Sequence, residues 1–215
     1  LEIGLGGGRT AAYLNLHMPE LSIRSVELDP EVIDLAITYF GLKPNENFQI
    51  SAQDGRLHLM RDRTTHDVIM IDAYRGPFVP FHLLTREFYQ MTKRRLSPGG
   101  IVAQNIEPTT MLFDSAVATI GSVFENVELY EARGNVVAIA YDGPQIPQAD
   151  LLARGRALQS RHDFRYSLPD LLGERRLVTT LPDQDPLIDD FAPVEMLKSI
   201  ERHNQGIDAI SKPAE

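Results

Sequence analysis

Four stretches of this chain carry residues whose type and spacing suit a nucleoside ligand. Gly4-Leu5-Gly6-Gly7-Gly8 follows the short run Leu1-Glu2-Ile3 and precedes a helix-period stretch. Missing Cβ atoms let a ligand approach such a turn, and the amides of the helix start point at it. Arg9 stands where a dinucleotide fingerprint needs its third glycine, which argues against NAD or FAD. Glu27 ends a second apolar run 19 residues after Gly8, where a carboxylate can accept hydrogen bonds from both hydroxyls of a ribose. Asp54-Gly55 follows a third run and offers an acceptor for the exocyclic amine of adenine. Asp72 ends the most apolar run and opens the loop Ala73-Tyr74-Arg75-Gly76-Pro77. A carboxylate there can take a proton from an amine nucleophile or hold a cation. Each feature also has a plainer reading: a tight turn, a solvated carboxylate, an Asp-Gly turn and a loop cap.

Other chemistries find little support. The six histidines, His17, His58, His66, His82, His162 and His203, form no HxH or HxxxH pair, so no metal site is expected. His82 alone falls near the inferred pocket and reads as a hydrogen-bonded structural residue. The absence of cysteine excludes thiolate catalysis, iron–sulfur clusters and disulfides. No nucleophile-elbow, Walker A or kinase motif is present.

The elements that must position these residues alternate between short apolar runs and helix-period stretches, as in a parallel sheet with crossover helices. Strands are expected at residues 1–3, 23–28, 48–51, 68–71 and 101–104, the fourth buried on both faces. Asp29-Pro30 reads as a helix cap followed by proline at the first position, Gly41 as its stop, and Thr85 as the cap of a later helix. Helices are also expected after Gly8, over 56–61 and over about 111–124, with Pro98-Gly99-Gly100 as a turn. Residues 127–131 and 136–140 read as a hairpin. An α/β fold with a mostly parallel seven-stranded sheet, closed by an antiparallel pair, follows. Ligands of such sheets collect beyond the carboxyl ends of the strands, where Gly6, Glu27, Asp54 and Asp72 all fall. After Gly143-Pro144 the chain is more polar. This divides it into a core, 1–145, and a helical extension, 146–215, with a last helix from Val194 to about His203.

A length of 215 residues with 43% hydrophobic and 24% charged side chains is that of one sizeable globular unit. A net charge of −9 disfavours nucleic acid as a partner, because neutralising phosphates needs a basic stripe. No apolar run is long enough to span a bilayer. The opening at Leu1, inside a strand, suggests a fragment lacking its natural start.

The glycine turn, Glu27, Asp54-Gly55, Asp72 and the terminal hairpin in this order resemble the Rossmann-like class I S-adenosylmethionine-dependent fold. The stretches LEIGLGGG, VELDPEVIDLA, AQDG, DVIMIDAY and LSPGGIVAQNI resemble the spermidine synthase, or polyamine aminopropyltransferase, family over most of residues 1–141. PFHLLTREFY and DDFAPVEML are closer to the spermidine-synthase-like proteins often fused to membrane transporters. The resemblance implies a cytoplasmic, dimeric transferase using decarboxylated S-adenosylmethionine, an amine or polyamine acceptor and no metal, with methylthioadenosine as product. It implies that Gly4, Gly6, Gly7, Gly8, Arg9, Glu27, Asp54, Gly55 and Asp72 hold the donor. Asp72 would also deprotonate the amine, and Tyr74, Arg75 and Gln104 would lie on the acceptor side. The chain departs from the family pattern at Arg9 and Arg75, both acids in the family, and the family's N-terminal hairpin domain is expected to be absent. Arg9 therefore raises a second expectation, transfer of a methyl or aminocarboxypropyl group from intact S-adenosylmethionine, whose carboxylate a guanidinium can grip. A third is nucleoside binding without turnover.

Overall fold

The computed structural model describes residues 1–76, 78–132 and 134–190. Five strands alternate with helices: β1 (Glu2–Ile3), α1 (Arg9–His17), β2 (Ile23–Glu27), α2 (Pro30–Phe40), β3 (Phe48–Ala52), α3 (Gly55–Arg61), β4 (His66–Ile71), α4 (Arg86–Lys93) and β5 (Leu96–Ile106). Then come α5 (Phe113–Gly121), the strands β6 (Asn126–Ala132) and β7 (Asn135–Tyr141), α6 (Gln148–Gln159), α7 (Leu168–Gly173) and β8 (Arg175–Leu177). Helix starts follow local chemistry. The side chains of Asp29, Asp54, Thr85 and Ser167 accept from backbone amides at the first turns of α2, α3, α4 and α7.

The sheet order is β3-β2-β1-β4-β5-β7-β6-β8. β1 to β5 pair in parallel, and β7 pairs antiparallel with both β5 and β6. The hairpin thus closes a parallel sheet, as the sequence leads one to expect. Three expectations need correction. The described sheet has eight strands, because β8 joins β6 antiparallel through Glu128–Leu177, Leu129–Arg176 and Tyr130–Arg175. The extension after residue 145 therefore contributes a strand to the core sheet and is not purely helical. Pro98 to Gly100 is no separate turn; it lies within β5, with Gly99 at a φ of 77°. β4 is buried on one face only. Ile69 and Ile71 are sealed by α3, α4 and α5, but on the other side α1 and α2 pack over β2 and β3, leaving Val68 39% exposed. The last helix expected from Val194 lies outside the described residues.

The core has two parts, one on each face of the sheet. The larger joins Ile3, Leu59, Ile71, Phe88, Tyr89, Val102, Val117 and Ala138. The smaller joins Leu5, Ala11, Ile23, Ala36, Leu42 and Phe48 beneath α1 and α2. Both sets come from alternate strand positions and one stripe of each helix, so the carboxyl ends of β1 to β4 are held rigidly side by side.

Candidate functional site

A cavity of about 690 Å³ opens at those carboxyl ends. Gly4, Gly6, Glu27, Asp29, Asp54, Gly55, Asp72, Tyr74, Arg75 and His82 line it, with Val32, Phe78, Val79 and Phe81 among its apolar walls. The glycine turn fits it by close approach. A Cβ on Gly4 would sit 2.4 Å from the carbonyl oxygen of Asp72, so only glycine lets β1 and β4 end so close together. Gly6 has a φ of 50° and nothing within 4 Å of a Cβ position, leaving its backbone bare toward the opening.

Glu27 ties the turn to β2. Its Oε2 accepts from the amides of Leu5 (2.9 Å) and Gly6 (3.4 Å), and its Oε1 from the amide of Asp29 (3.1 Å). A carboxylate offers about four lone-pair directions, so acceptors remain for the two hydroxyls of a ribose. Structural tie and hydroxyl acceptor are thus compatible roles for one side chain. Asp54 likewise does two things. Its Oδ1 caps α3 by accepting from Leu57 N (2.9 Å), and its Oδ2 lies 3.0 Å from His82 Nε2. The outer nitrogen of His82, Nδ1, has no partner among the described residues.

Asp72 follows the last residue of β4, and its Oδ1 accepts from Asn105 Nδ2 at 2.8 Å. Its Oδ2 has no partner among the described residues and is the oxygen left to take a proton. Tyr74 follows with a buried hydroxyl that makes no hydrogen bond among the described residues. Burial pushes that phenol up to about 12, with the charges of Asp72 and Glu107 adding to the shift, so it stays a donor at neutral pH. Arg75 lines the cavity with its guanidinium in no ion pair among the described residues.

Several expected residues stand elsewhere. Gly7, Gly8 and Arg9 do not line the cavity, and Arg9 is exposed on the first turn of α1. Gln104 is wholly buried on the opposite face of β5. It accepts from the Tyr89 hydroxyl at 3.3 Å and donates to the Asn105 carbonyl at 3.2 Å. Its neighbour Asn105 is the one that faces Asp72, because side chains along a strand alternate in direction. Sequence reasoning missed Asn105 for that reason, and it missed Arg56 too. Arg56 on α3 donates to the His82 carbonyl (3.0 Å), to Thr85 Oγ1 (3.3 Å) and to Asp189 Oδ1 (2.8 Å), fixing the wall that carries His82. Among the described residues no group of three or more metal-ligating side chains occurs, and no helix is long and apolar enough to cross a membrane.

Known proteins resemble this chain in sequence and in fold. Residues 1–133 match the family described as the spermine/spermidine synthase domain. The chain is 32% identical over 206 residues to the polyamine aminopropyltransferase of Vibrio vulnificus, covering 92% of this chain and 69% of that one. Other curated relatives extend further, and the chain spans about half of their length. A probable spermidine synthase from Corynebacterium glutamicum superimposes with a TM-score of 0.70 at 22% identity, over 90% of this chain and 74% of that one. Human methyltransferase-like protein 13, solved in complex with SAH, gives 0.67 at 24% identity over 91% and 86%. The shared fold is the class I methyltransferase-like one.

Proposed function

The chain belongs to the spermine/spermidine synthase family, and from that premise we propose that it transfers the aminopropyl group of decarboxylated S-adenosylmethionine to an amine, releasing methylthioadenosine. The observation that carries this reading is one cavity lined jointly by Gly6, Glu27, Asp54 and Asp72. Glu27 would accept from the ribose hydroxyls. Asp54 would accept from the adenine amine, which must share Oδ2 with His82 or displace it. The bare backbone at Gly6 would leave room for the sulfonium and its propyl arm.

The reaction then asks little covalent work of the protein. The amine lone pair attacks the propyl carbon bonded to the sulfonium, the C–N bond forms, and the C–S bond breaks with its electron pair passing to sulfur. Asp72 takes the proton through Oδ2 while Asn105 holds Oδ1, and positioning supplies most of the remaining acceleration. Transfer from the intact donor would draw on Arg9 to hold its carboxylate. Arg9 lies outside the cavity lining, which favours the decarboxylated donor.

Asp72→Asn separates the steps. With decarboxylated donor and a panel of amines, the wild-type protein should release methylthioadenosine. The variant should release it about 100-fold more slowly or worse while binding methylthioadenosine with an unchanged Kd. Equal turnover by the two proteins would remove Asp72 from the proton path.

A further inference from the structure

His82 is held at the base end of the cavity by two bonds from one helix start, and the transfer step uses neither. The ring comes first: His82 Nε2 lies 3.0 Å from Asp54 Oδ2, while Asp54 Oδ1 accepts from Leu57 N at 2.9 Å as the cap of α3. A carboxylate only accepts, so Nε2 carries the hydrogen and donates it. The backbone comes second: Arg56, on the same turn of α3, donates to the His82 carbonyl at 3.0 Å. Asp189 fixes that guanidinium in turn, accepting from it with both carboxylate oxygens. With side-chain exposures of 44% and 22%, the ring is the outer member of the His82–Asp54 pair and the carboxylate the inner one. Asp54, His82 and the flanking Phe81 and Leu83 all line the large cavity.

We propose that His82 is a positioning residue that sets the base specificity of the site: by holding Asp54 it admits a 6-aminopurine nucleoside and rejects a 6-oxopurine one. This inference rests on the nucleoside part of the aminopropyl-transfer reading, in which Asp54 meets the adenine amine. Each carboxylate oxygen accepts about two hydrogen bonds. On Oδ2 His82 fills one direction and leaves one toward the ligand. A 6-amino group fills that direction with an N–H. A 6-oxo group brings a lone pair against an anionic oxygen, and its own donor, N1–H, lies at the next ring position. A carboxylate fixed at both oxygens cannot turn to meet that donor, and the mismatch leaves polar groups unpaired in the site. Without His82 the carboxylate is tethered through Oδ1 alone and can turn to accept from either base. Amine and imidazole thus share Oδ2 and do not compete for it. Phe81 and Leu83 offer the purine an apolar surface that is indifferent to the 6-substituent.

The test is calorimetric binding of methylthioadenosine and methylthioinosine, which differ only at the 6-substituent and N1. The wild-type protein should bind methylthioadenosine about 100-fold more tightly, through one charge-assisted hydrogen bond gained and one lone-pair clash avoided. His82→Phe should weaken methylthioadenosine about 10-fold and leave methylthioinosine no weaker, so that the ratio falls to about 10 or below. His82→Gln, whose amide N–H can stand near the place of Nε2, should keep the wild-type ratio. In an Asp54→Asn background His82→Phe should leave the ratio nearly unchanged, because His82 acts through that carboxylate. Equal weakening of both nucleosides in His82→Phe would reduce His82 to a structural residue and overturn the inference. Tighter methylthioadenosine binding in that variant would overturn it as well, being the sign of competition for Oδ2. His82→Asn, too short to reach Asp54, carries the same expectations if His82→Phe does not fold. The transfer reading is decided separately. Selective nucleoside binding with no methylthioadenosine released from decarboxylated donor by any amine would end that reading and leave this one standing, whereas a wild-type protein that binds neither nucleoside would end both.

Discussion

Glu27 illustrates how one side chain can hold a turn and serve a ligand at once. Three backbone amides fix its carboxylate at the end of β2. Glu27→Gln keeps the shape but replaces an anionic oxygen with an amide nitrogen, which cannot accept. We expect methylthioadenosine to bind about 1.5–3 kcal/mol more weakly, read by calorimetry as a 10- to 100-fold larger Kd. An unchanged Kd would remove Glu27 from the nucleoside site. Glu27, Asp54 and Asp72 were legible in the sequence because a strand's carboxyl end can be found from its apolar run alone. The choice between Gln104 and Asn105 was not, since the residues Ile101-Val102-Ala103-Gln104-Asn105-Ile106 show no apolar–polar alternation that would mark the alternating burial of β5. The resemblance pointed to Gln104, whereas the residue that touches Asp72 is Asn105.

Among the elements, β1 sets the position of the glycine turn, and it does so with a buried acid. Glu2 is 3% exposed and accepts from the Ser25 hydroxyl of β2. Burial is the largest cause of a shift that raises its carboxyl from an ordinary 4.5 to about 7, with Ser25 opposing and the charge of Asp72 adding. The folded chain thus keeps a proton that the unfolded chain gives up above about pH 4.5. Stability should fall as pH rises from about 4.5 to about 7 and level off above that, by on the order of 3 kcal/mol in total. Glu2→Gln, which retains the acceptor for Ser25 and cannot ionise, should flatten that slope in urea unfolding and be the more stable protein at pH 8. An identical slope in both proteins would refute the assignment. The strand itself was legible. The burial of its acid was not, because a glutamate in a three-residue run reads equally well as facing solvent.

Across the whole molecule, the core and the extension meet at a buried charge. Arg175 of β8 pairs with Glu128 of β6, with side chains 3% and 5% exposed. The hydroxyls of Tyr130 and Tyr141 also donate to Glu128. Arg175→Met would leave that carboxylate buried without its cation, at a cost of about 3–5 kcal/mol. The urea midpoint should drop accordingly and partly recover when Glu128→Gln is added. A midpoint within error of wild type would mean the pair does not hold the extension. The parallel core and its hairpin could be read from apolar runs, but β8 could not. Arg175-Arg176-Leu177 has no strand signature of its own and becomes a strand only because β6 offers a free edge and Glu128 a partner. Among the described residues, the core and its loop wall leave a large opening at the strand ends, and the central claim is that a decarboxylated donor reacts there. Supplying each donor separately with the same mixture of amines, and quantifying methylthioadenosine and S-adenosylhomocysteine, tests it most directly. The expected result is methylthioadenosine from the decarboxylated donor and little of either nucleoside from the intact one. Methylthioadenosine or S-adenosylhomocysteine formed mainly from the intact donor, or no product from either, would contradict it.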